Sequence, residues 1–275
     1  MSNMSLETLQ FDSGQIVVGD IAITLEDHVA LVELRRPPNN FLDVDLIADL
    51  ATVLERLDQN VQCRSIVLAS EGKHFCAGGN LKQRLDVEAK GAKFVPAGRH
   101  IYKEARRLVA TKKVVVAAVH GSAIGAGLGL AAVSDFRVTC QEARFAANFT
   151  SIGFHPGFGL TETLPRLVGQ QQARWLLYTG KRITGEEAFT IGLADRLVEQ
   201  DQVRAVALEI AAEIARSAPL SVQATRESMN RDFITRFRAA TEREAFEQNW
   251  LRETNDYREG VEASAERRSP IFSAS

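Results

Sequence analysis

The sequence predicts an α/β fold built from recurring units of two strands and a helix, followed by a C-terminal helical region of residues 201–275. Two apolar, β-branched runs, at 65–69 and 114–119, each lead into a glycine-rich loop, as a strand does where it ends in a turn. Leucines spaced three and four residues apart mark helices between the strands. No strand pattern appears after about residue 203, so we expect a core of residues 1–200 and a helical remainder.

The first unit is a β-hairpin followed by a helix. Residues 21–25 and 29–34 are predicted strands around a polar turn, and Pro37-Pro38 ends the second strand because proline donates no ladder hydrogen bond. Apolar side chains from Leu46 to Leu57 then recur every three or four residues, on one face of a helix that is expected to begin near Asp43.

The unit then recurs in the second part of the core. A helix over about 99–110 is expected to precede strand 114–119, and a glycine-opened helix runs through Val133 before strand 136–139. Residues 148–159 predict a loop because they are rich in glycine and proline. Further helices are predicted at 169–178, 185–192, 203–217, 220–230, 237–253 and 258–268. This order fits repeated ββα units, and periodicity alone also allows a doubly wound sheet.

Composition excludes several classes of protein. With 275 residues and 45% hydrophobic content the chain can bury a sizeable core, and a formal net charge of −2 gives no broad reason to bind nucleic acid or an anionic membrane. Cys63, Cys76 and Cys140 are widely spaced and form no C-x-x-C pair, so neither a disulfide framework nor a metal site is predicted. No stretch approaches 18 apolar residues and no secretory signal is visible, which favours a cytoplasmic protein.

Two glycine loops are the most informative motifs. Phe75-Cys76-Ala77-Gly78-Gly79-Asn80-Leu81 follows the first β-rich run, and Gly121-Ser122-Ala123-Ile124-Gly125-Ala126-Gly127-Leu128-Gly129-Leu130 follows the second. Glycine lets the backbone turn where a Cβ would clash, so two such strand ends can direct N–H groups at one point. A helix that starts after Gly125 adds its partial positive end. The pattern therefore outlines an oxyanion hole.

With these loops the chain resembles the crotonase family, the enoyl-CoA hydratase/isomerase superfamily, over roughly residues 20 to 272. The other matching segments are Arg36-Pro37-Pro38-Asn39-Asn40-Phe41-Leu42, Asp135, Ala143-Arg144-Phe145, Pro156-Gly157-Phe158-Gly159, Leu177 to Thr184 and Glu187 to Leu193. The resemblance implies the spiral fold, an acyl-CoA substrate, no cofactor beyond the coenzyme A of that substrate, and a homotrimer or dimer of trimers. It also implies that the C-terminal helices cover the acyl pocket.

The resemblance assigns the oxyanion-hole donors to the N–H groups of Gly79 and Ala126. The two glutamates of the family's hydratases correspond here to Gly129 and Phe149, and neither can move a proton. We expect this pair to leave a cavity where relatives bind water.

A third family position, which holds a catalytic aspartate in some members, is Gly157. His155 lies in the same loop and is its one side chain that titrates near neutral pH, so we predict that it transfers protons. The alternative is a loop histidine bonded to a backbone carbonyl.

The remaining predicted site residues contact the substrate. They are Arg36, Lys73, Ala77, Asn80, Leu81, Gly125, Gly129, Asn148, Phe149 and Arg268, with Arg35 and Lys82 as further phosphate contacts. A dinucleotide fingerprint is excluded because Leu130 replaces its third glycine. Ser122 does not fit a nucleophile elbow, because it does not stand midway between glycines.

Together these features predict an acyl-CoA enzyme that stabilises a thioester enolate and hydrates enoyl-CoA slowly. Decarboxylation, C–C or thioester cleavage, and non-catalytic acyl-CoA binding remain alternatives.

Overall fold

The computed structural model describes residues 14–80 and 100–275. The strands are β1 (Ile16–Val18), β2 (Ile21–Glu26), β3 (Val29–Leu34), β4 (Ser65–Ser70), β5 (Val114–Val119), β6 (Ser122–Ile124), β7 (Phe136–Thr139), β8 (Arg144–Ala146), β9 (Arg182–Thr184) and β10 (Arg196–Leu197). The helices are α1 (Val44–Gln59), α2 (Ile101–Val109), α3 (Ala126–Ala132), α4 (Leu160–Thr179), α5 (Gly185–Thr190), α6 (Val203–Ala215), α7 (Pro219–Leu251) and α8 (Asn255–Glu266).

The larger sheet has the strand order β1-β2-β3-β4-β5-β7-β10. Strands β1 to β3 pair antiparallel, and every pairing from β3 to β10 is parallel. Both β4 and β5 are buried along their whole length, as parallel strands with both faces covered should be. A smaller sheet of β6, β8 and β9 lies beside it.

Helices cover the larger sheet and share its core. Helix α6 packs against β4 and β5, although it lies beyond the boundary expected near residue 200. Helix α1 begins at its Asp43 cap, which accepts the Leu46 N–H, and packs against α2. An isolated bridge between Cys76 and Ala123 brings the two glycine loops together.

The predicted hairpin, strands β4, β5 and β7, and helix α1 are confirmed. The predicted break between residues 230 and 237 is wrong, since α7 is one continuous helix of 33 residues. Phe233 and Phe237 are buried on one face of that helix and pack together with ring centroids 5.7 Å apart. Helix α4 also begins earlier than predicted, at Leu160, and is kinked at Gly169, whose φ is 76°.

The small sheet was not predicted, because its three-residue strands are too short to show a period. In residues 14–80 and 100–275, no helix has an apolar stretch long enough to cross a bilayer.

Candidate active site

Backbone hydrogen bonds hold the two glycine loops side by side. The Cys76 N–H donates to Ser122 O at 2.9 Å, and the Ile124 N–H donates to Cys76 O at 3.0 Å. Gly78 follows with a φ of 86°, and a Cβ on it would lie 2.6 Å from Ile124 O and 3.8 Å from Ala126 N. Only glycine permits this close approach, so the sequence motif directly sets the distance between the loops.

The N–H groups of Gly79 and Ala126 donate to no residue in the described part of the chain. Ala126 is the first residue of α3, where a helix N–H has no partner within the helix and carries partial positive charge. Gly125 precedes it with a φ of 55°. The N–H of Gly125 donates to Ala146 O at 2.8 Å. Two available donors on adjacent loops are what the predicted oxyanion hole requires.

Asn40, in the turn from Arg36 to Leu42, holds the chain that leads into the first glycine loop through hydrogen bonds to its backbone. This residue is fully buried, and its side-chain amide donates to Glu71 O and to His74 O, both at 2.7 Å. The Leu42 N–H donates to Gly78 O at 2.8 Å, immediately beside the predicted donor. The turn therefore fixes the loop from two sides.

A cavity of about 180 Å³ opens beside the two N–H groups. It is lined by Leu42, Asp43, Val44, Ala77, Gly78, Gly79, His100, Ile101, Tyr102, Ile124, Gly125, Ala126, Asn148, Phe149, Ile152, Phe154, Gln248, Arg252 and Tyr257. The last three belong to α7, its C-terminal cap and α8, so the C-terminal helices complete the wall. Tyr257 packs on Phe154 with ring centroids 4.8 Å apart.

Six predicted site residues come together in this wall: Ala77, Gly79, Gly125, Ala126, Asn148 and Phe149. A Cβ placed on Gly125 would lie 3.4 Å from Asn148 Oδ1 and 3.7 Å from Phe149 Cζ. Phe149 therefore presents an apolar ring next to the Ala126 donor, at the position that the resemblance assigns to a hydratase glutamate.

Gly129 is not among the described residues that line the cavity. The expected space opposite Phe149 is absent there, because the ring of Phe158 fills it. A Cβ on Gly129 would lie 2.6 Å from Phe158 Cβ and 2.8 Å from its Cδ1. Phe158 is fully buried and has a φ of 58°, which is uncommon for a bulky residue. The expectation failed because the sequence gives no sign of which side chain turns back onto α3.

The third acid/base position, Gly157, is also closed. A Cβ there would collide with the Tyr102 hydroxyl. That hydroxyl donates to Gln248 Oε1 at 2.8 Å, and Gln248 Nε2 donates to His155 O at 2.9 Å. Burial, with a smaller contribution from Glu244, raises the pKa of Tyr102, so the phenol stays protonated.

His155 lies outside the set of described residues that line the cavity. Its Nδ1 donates to Pro156 O at 2.7 Å, which is the alternative arrangement expected of a loop histidine. Nothing in this geometry brings the imidazole to the two N–H donors.

The predicted phosphate ligands are scattered, and several are engaged in ion pairs. Arg36 binds Asp43 with Nη1 2.6 Å from Oδ2, and also binds Asp20. Arg268 pairs with Glu259 at 2.5 Å and with Glu266 at 2.6 Å. These partners hold both guanidinium groups in place within the described chain.

The other predicted basic and loop residues that the structure describes lie apart from one another. Arg35 faces a separate polar cleft and pairs with Glu71 at 2.9 Å. Lys73 is exposed, and Asn80 is half-buried directly after Gly79. Leu81 and Lys82 lie outside the described residues.

His100 and Arg252 line the cavity and were not predicted from the sequence. His100 is the N-cap of α2, and its Nδ1 accepts the Tyr102 N–H at 3.2 Å. Burial lowers the pKa of its imidazole, and Arg252 lowers it further. The only sequence signal for His100 is its place just before a helical pattern, and Arg252 follows a long helix without any motif.

Comparison with known proteins identifies the family. Residues 24–275 match the family described as enoyl-CoA hydratase/isomerase, and the chain therefore belongs to it. The short-chain-enoyl-CoA hydratase of Clostridium acetobutylicum is 32% identical over 258 residues, 91% of this chain and 96% of that protein. The (E)-benzylidenesuccinyl-CoA hydratase of Thauera aromatica is 32% identical over 257 residues, covering 92% and 98%.

Solved structures agree with that assignment. The crystal structure of an enoyl-CoA hydratase/isomerase from Pseudoalteromonas atlantica T6c superposes with a TM-score of 0.83 at 29% identity. The match covers 92% of this chain and all of that one, so the mixed α/β core and its helical C-terminal region form the fold of this family.

Proposed function

We propose that this member of the enoyl-CoA hydratase/isomerase family binds an acyl-CoA thioester and stabilises its enolate with the N–H groups of Gly79 and Ala126. The observation that supports this most is the pair of N–H groups that have no acceptor among the described residues and lie beside a cavity. A thioester carbonyl placed between them becomes more acidic at the neighbouring carbon, because negative charge on its oxygen is stabilised. We propose no cofactor other than the coenzyme A of the substrate.

Ordinary hydration is proposed to be slow. At the three positions where the resemblance places acid/base groups, this chain has the Phe149 ring, the Phe158 ring over Gly129, and the Tyr102 hydroxyl against Gly157. Each missing acid/base group lowers a rate by about 100-fold to 10,000-fold. Isomerisation or decarboxylation with substrate-assisted proton transfer fits this wall better than the addition of water, and C–C or thioester cleavage is the alternative.

Incubation with a panel of acyl-CoA thioesters, followed by mass spectrometry, tests the proposal. The panel contains crotonyl-CoA, its β,γ-isomer, β-keto thioesters and carboxylated thioesters. We expect turnover of at least one thioester and hydration of crotonyl-CoA far below that of a family hydratase assayed in parallel. Rapid hydration of crotonyl-CoA would show that an unrecognised group activates water.

A non-catalytic acyl-CoA binder is the second candidate, and the apolar filling at Phe149 and Phe158 favours it. The same panel separates the two candidates. Tight binding of several thioesters without turnover of any would support the binder, whereas one product would exclude it.

We also propose a homo-oligomer, a trimer or a dimer of trimers, in the cytoplasm. Large apolar side chains are exposed along α7, among them Leu220, Met229, Phe246 and Trp250. An apolar groove of about 620 Å³ between α7 and the sheet lies away from the two N–H donors. Such surfaces are typical of subunit contacts. Light scattering after size exclusion measures the subunit number.

The cysteines bear on the compartment. Cys63, Cys76 and Cys140 are buried free thiols, which agrees with a reducing compartment.

A further inference from the structure

His100 is a hydrogen-bond donor of defined orientation on the cavity wall. Its Nδ1 accepts the Tyr102 N–H, so in the neutral imidazole the proton lies on Nε2. Nε2 makes no hydrogen bond with the described residues. Neutral His100 therefore offers the cavity an N–H donor and no basic nitrogen.

The described residues that shift the pKa of His100 are positively charged. Arg252, Arg106 and Lys103 each lower the pKa of its imidazole in addition to burial. Arg252 lines the same cavity, with Cζ 5.3 Å from the centroid of the Phe154 ring. Arg106 points away, pairing with Glu242 at 3.2 Å. This end of the cavity thus favours a negative charge over a second positive one.

Among the described lining residues the acidic one is Asp43, and both of its carboxylate oxygens are already engaged. One of its oxygens accepts the Leu46 N–H at 2.8 Å, and the other pairs with Arg36 at 2.6 Å. The Tyr102 hydroxyl donates to Gln248 Oε1 at 2.8 Å.

We propose that the acyl group of the substrate carries a carboxylate, which accepts a hydrogen bond from His100 Nε2–H beside Arg252. The inference rests on the proposed function, because the acyl group enters this cavity only if its thioester carbonyl binds at Gly79 and Ala126. A volume of about 180 Å³ holds about six water-sized groups, which suits an acyl group of about four carbons ending in a carboxylate.

The proposal links binding to proton uptake. An opposite charge within hydrogen-bond distance raises the pKa of an imidazole, so a bound carboxylate should raise the pKa of His100. Binding of a carboxylated thioester near pH 6 should therefore take up protons, whereas an alkyl thioester of equal length should take up none by this route.

Calorimetric titration with succinyl-CoA and butyryl-CoA tests the inference, because the two thioesters differ only in a terminal carboxylate or methyl group. The wild type is compared with His100→Ser, which keeps an N-cap oxygen for α2 and removes the imidazole. His28→Asn is the matched control, since His28 lies in the β2–β3 turn with a φ of 70° that asparagine tolerates. Mass spectrometry confirms that both thioesters stay intact.

We expect the wild type and His28→Asn to bind succinyl-CoA at least about 10-fold more tightly than butyryl-CoA, because a charge-assisted hydrogen bond supplies that difference in affinity. His100→Ser should lose most of that preference without weaker binding of butyryl-CoA. Nuclear magnetic resonance titration of wild-type His100 should show its pKa rising when succinyl-CoA is bound, which keeps the test valid if His100→Ser does not fold.

Equal binding of the two thioesters, or a preference that survives His100→Ser, would overturn the inference and leave the proposed function intact. An unchanged His100 pKa in the succinyl-CoA complex would overturn it as well. Failure of both thioesters to bind would overturn the proposed function, and this inference with it.

Discussion

The contact between Gly129 and Phe158 predicts a large energetic coupling between two residues. In wild type, Gly129→Ala would place a Cβ 2.6 Å from Phe158 Cβ, well inside the carbon–carbon contact distance of about 3.5 Å. Overpacking of this kind costs about 1–3 kcal/mol of unfolding free energy. In a Phe158→Gly background the obstacle is gone, and alanine inside α3 should stabilise by up to about 1 kcal/mol over glycine. The expected coupling is therefore about 1–4 kcal/mol.

Urea unfolding of the four proteins in this double-mutant cycle measures the coupling. Glycine suits the φ of 58° at position 158, so the background variant loses only the packing of the ring. Gly127→Ala is the control, because a Cβ there would collide with the backbone oxygen of Cys76 and should be equally costly in both backgrounds. Equal costs for Gly129→Ala with and without Phe158 would refute this account of why position 129 carries no acid. If the coupling is found, Gly129→Glu can restore hydration only together with Phe158→Gly.

Three further results are expected. Burial raises the pKa of Glu244 to about 7, more than its three hydrogen bonds to Gly159 and Thr161 lower it. Its protonated form therefore favours the folded state, and its contribution should fall by roughly 3 kcal/mol as pH rises from about 4.5 to about 7, a slope that Glu244→Gln removes in thermal unfolding. His155→Gln should keep kcat and the pH profile, because the ring lies off the cavity; a flattened limb with lower kcat would instead make it a proton-transfer group. The pKa of His100 should lie below 6.5 in the free protein and rise in Arg252→Gln, and an unchanged value would exclude Arg252 as a cause.

Local sequence patterns were sufficient to predict the strands and the helix that have a clear apolar pattern. The β2–β3 hairpin, β4 and β5 are continuous apolar or β-branched runs bounded by turn residues, and α1 has a clear apolar face with an Asp43 cap. The predicted break in α7 shows the limit of that reasoning. Residues 231–236 contain polar side chains that look like a connection, yet Phe233 is buried within the helix and tertiary packing keeps it continuous.

The residues of the site likewise fall into those that the sequence could predict and those that it could not. Gly78 and Gly125 could be recognised because a turn with positive φ requires glycine, and the loops they form are consecutive with strands. The Phe158 ring, the Tyr102 hydroxyl and His100 could not be placed, since each reaches the site through contacts between segments distant in the chain. A glycine at position 129 or 157 is equally compatible with an empty space and with a filled one.

The thioester carbonyl stretch, measured by difference infrared spectroscopy with a ¹³C-labelled thioester, tests the oxyanion hole most directly. Ala126→Pro removes one donor N–H at the first position of α3, where proline is tolerated, while Ala126→Gly keeps it. Thermal unfolding confirms that both variants are folded. We predict that the bound carbonyl shifts to lower frequency in wild type and Ala126→Gly, that the shift is much smaller in Ala126→Pro, and that any turnover falls about 100-fold to 1,000-fold in that variant. A folded Ala126→Pro protein with the full wild-type shift would contradict the hole at Gly79 and Ala126.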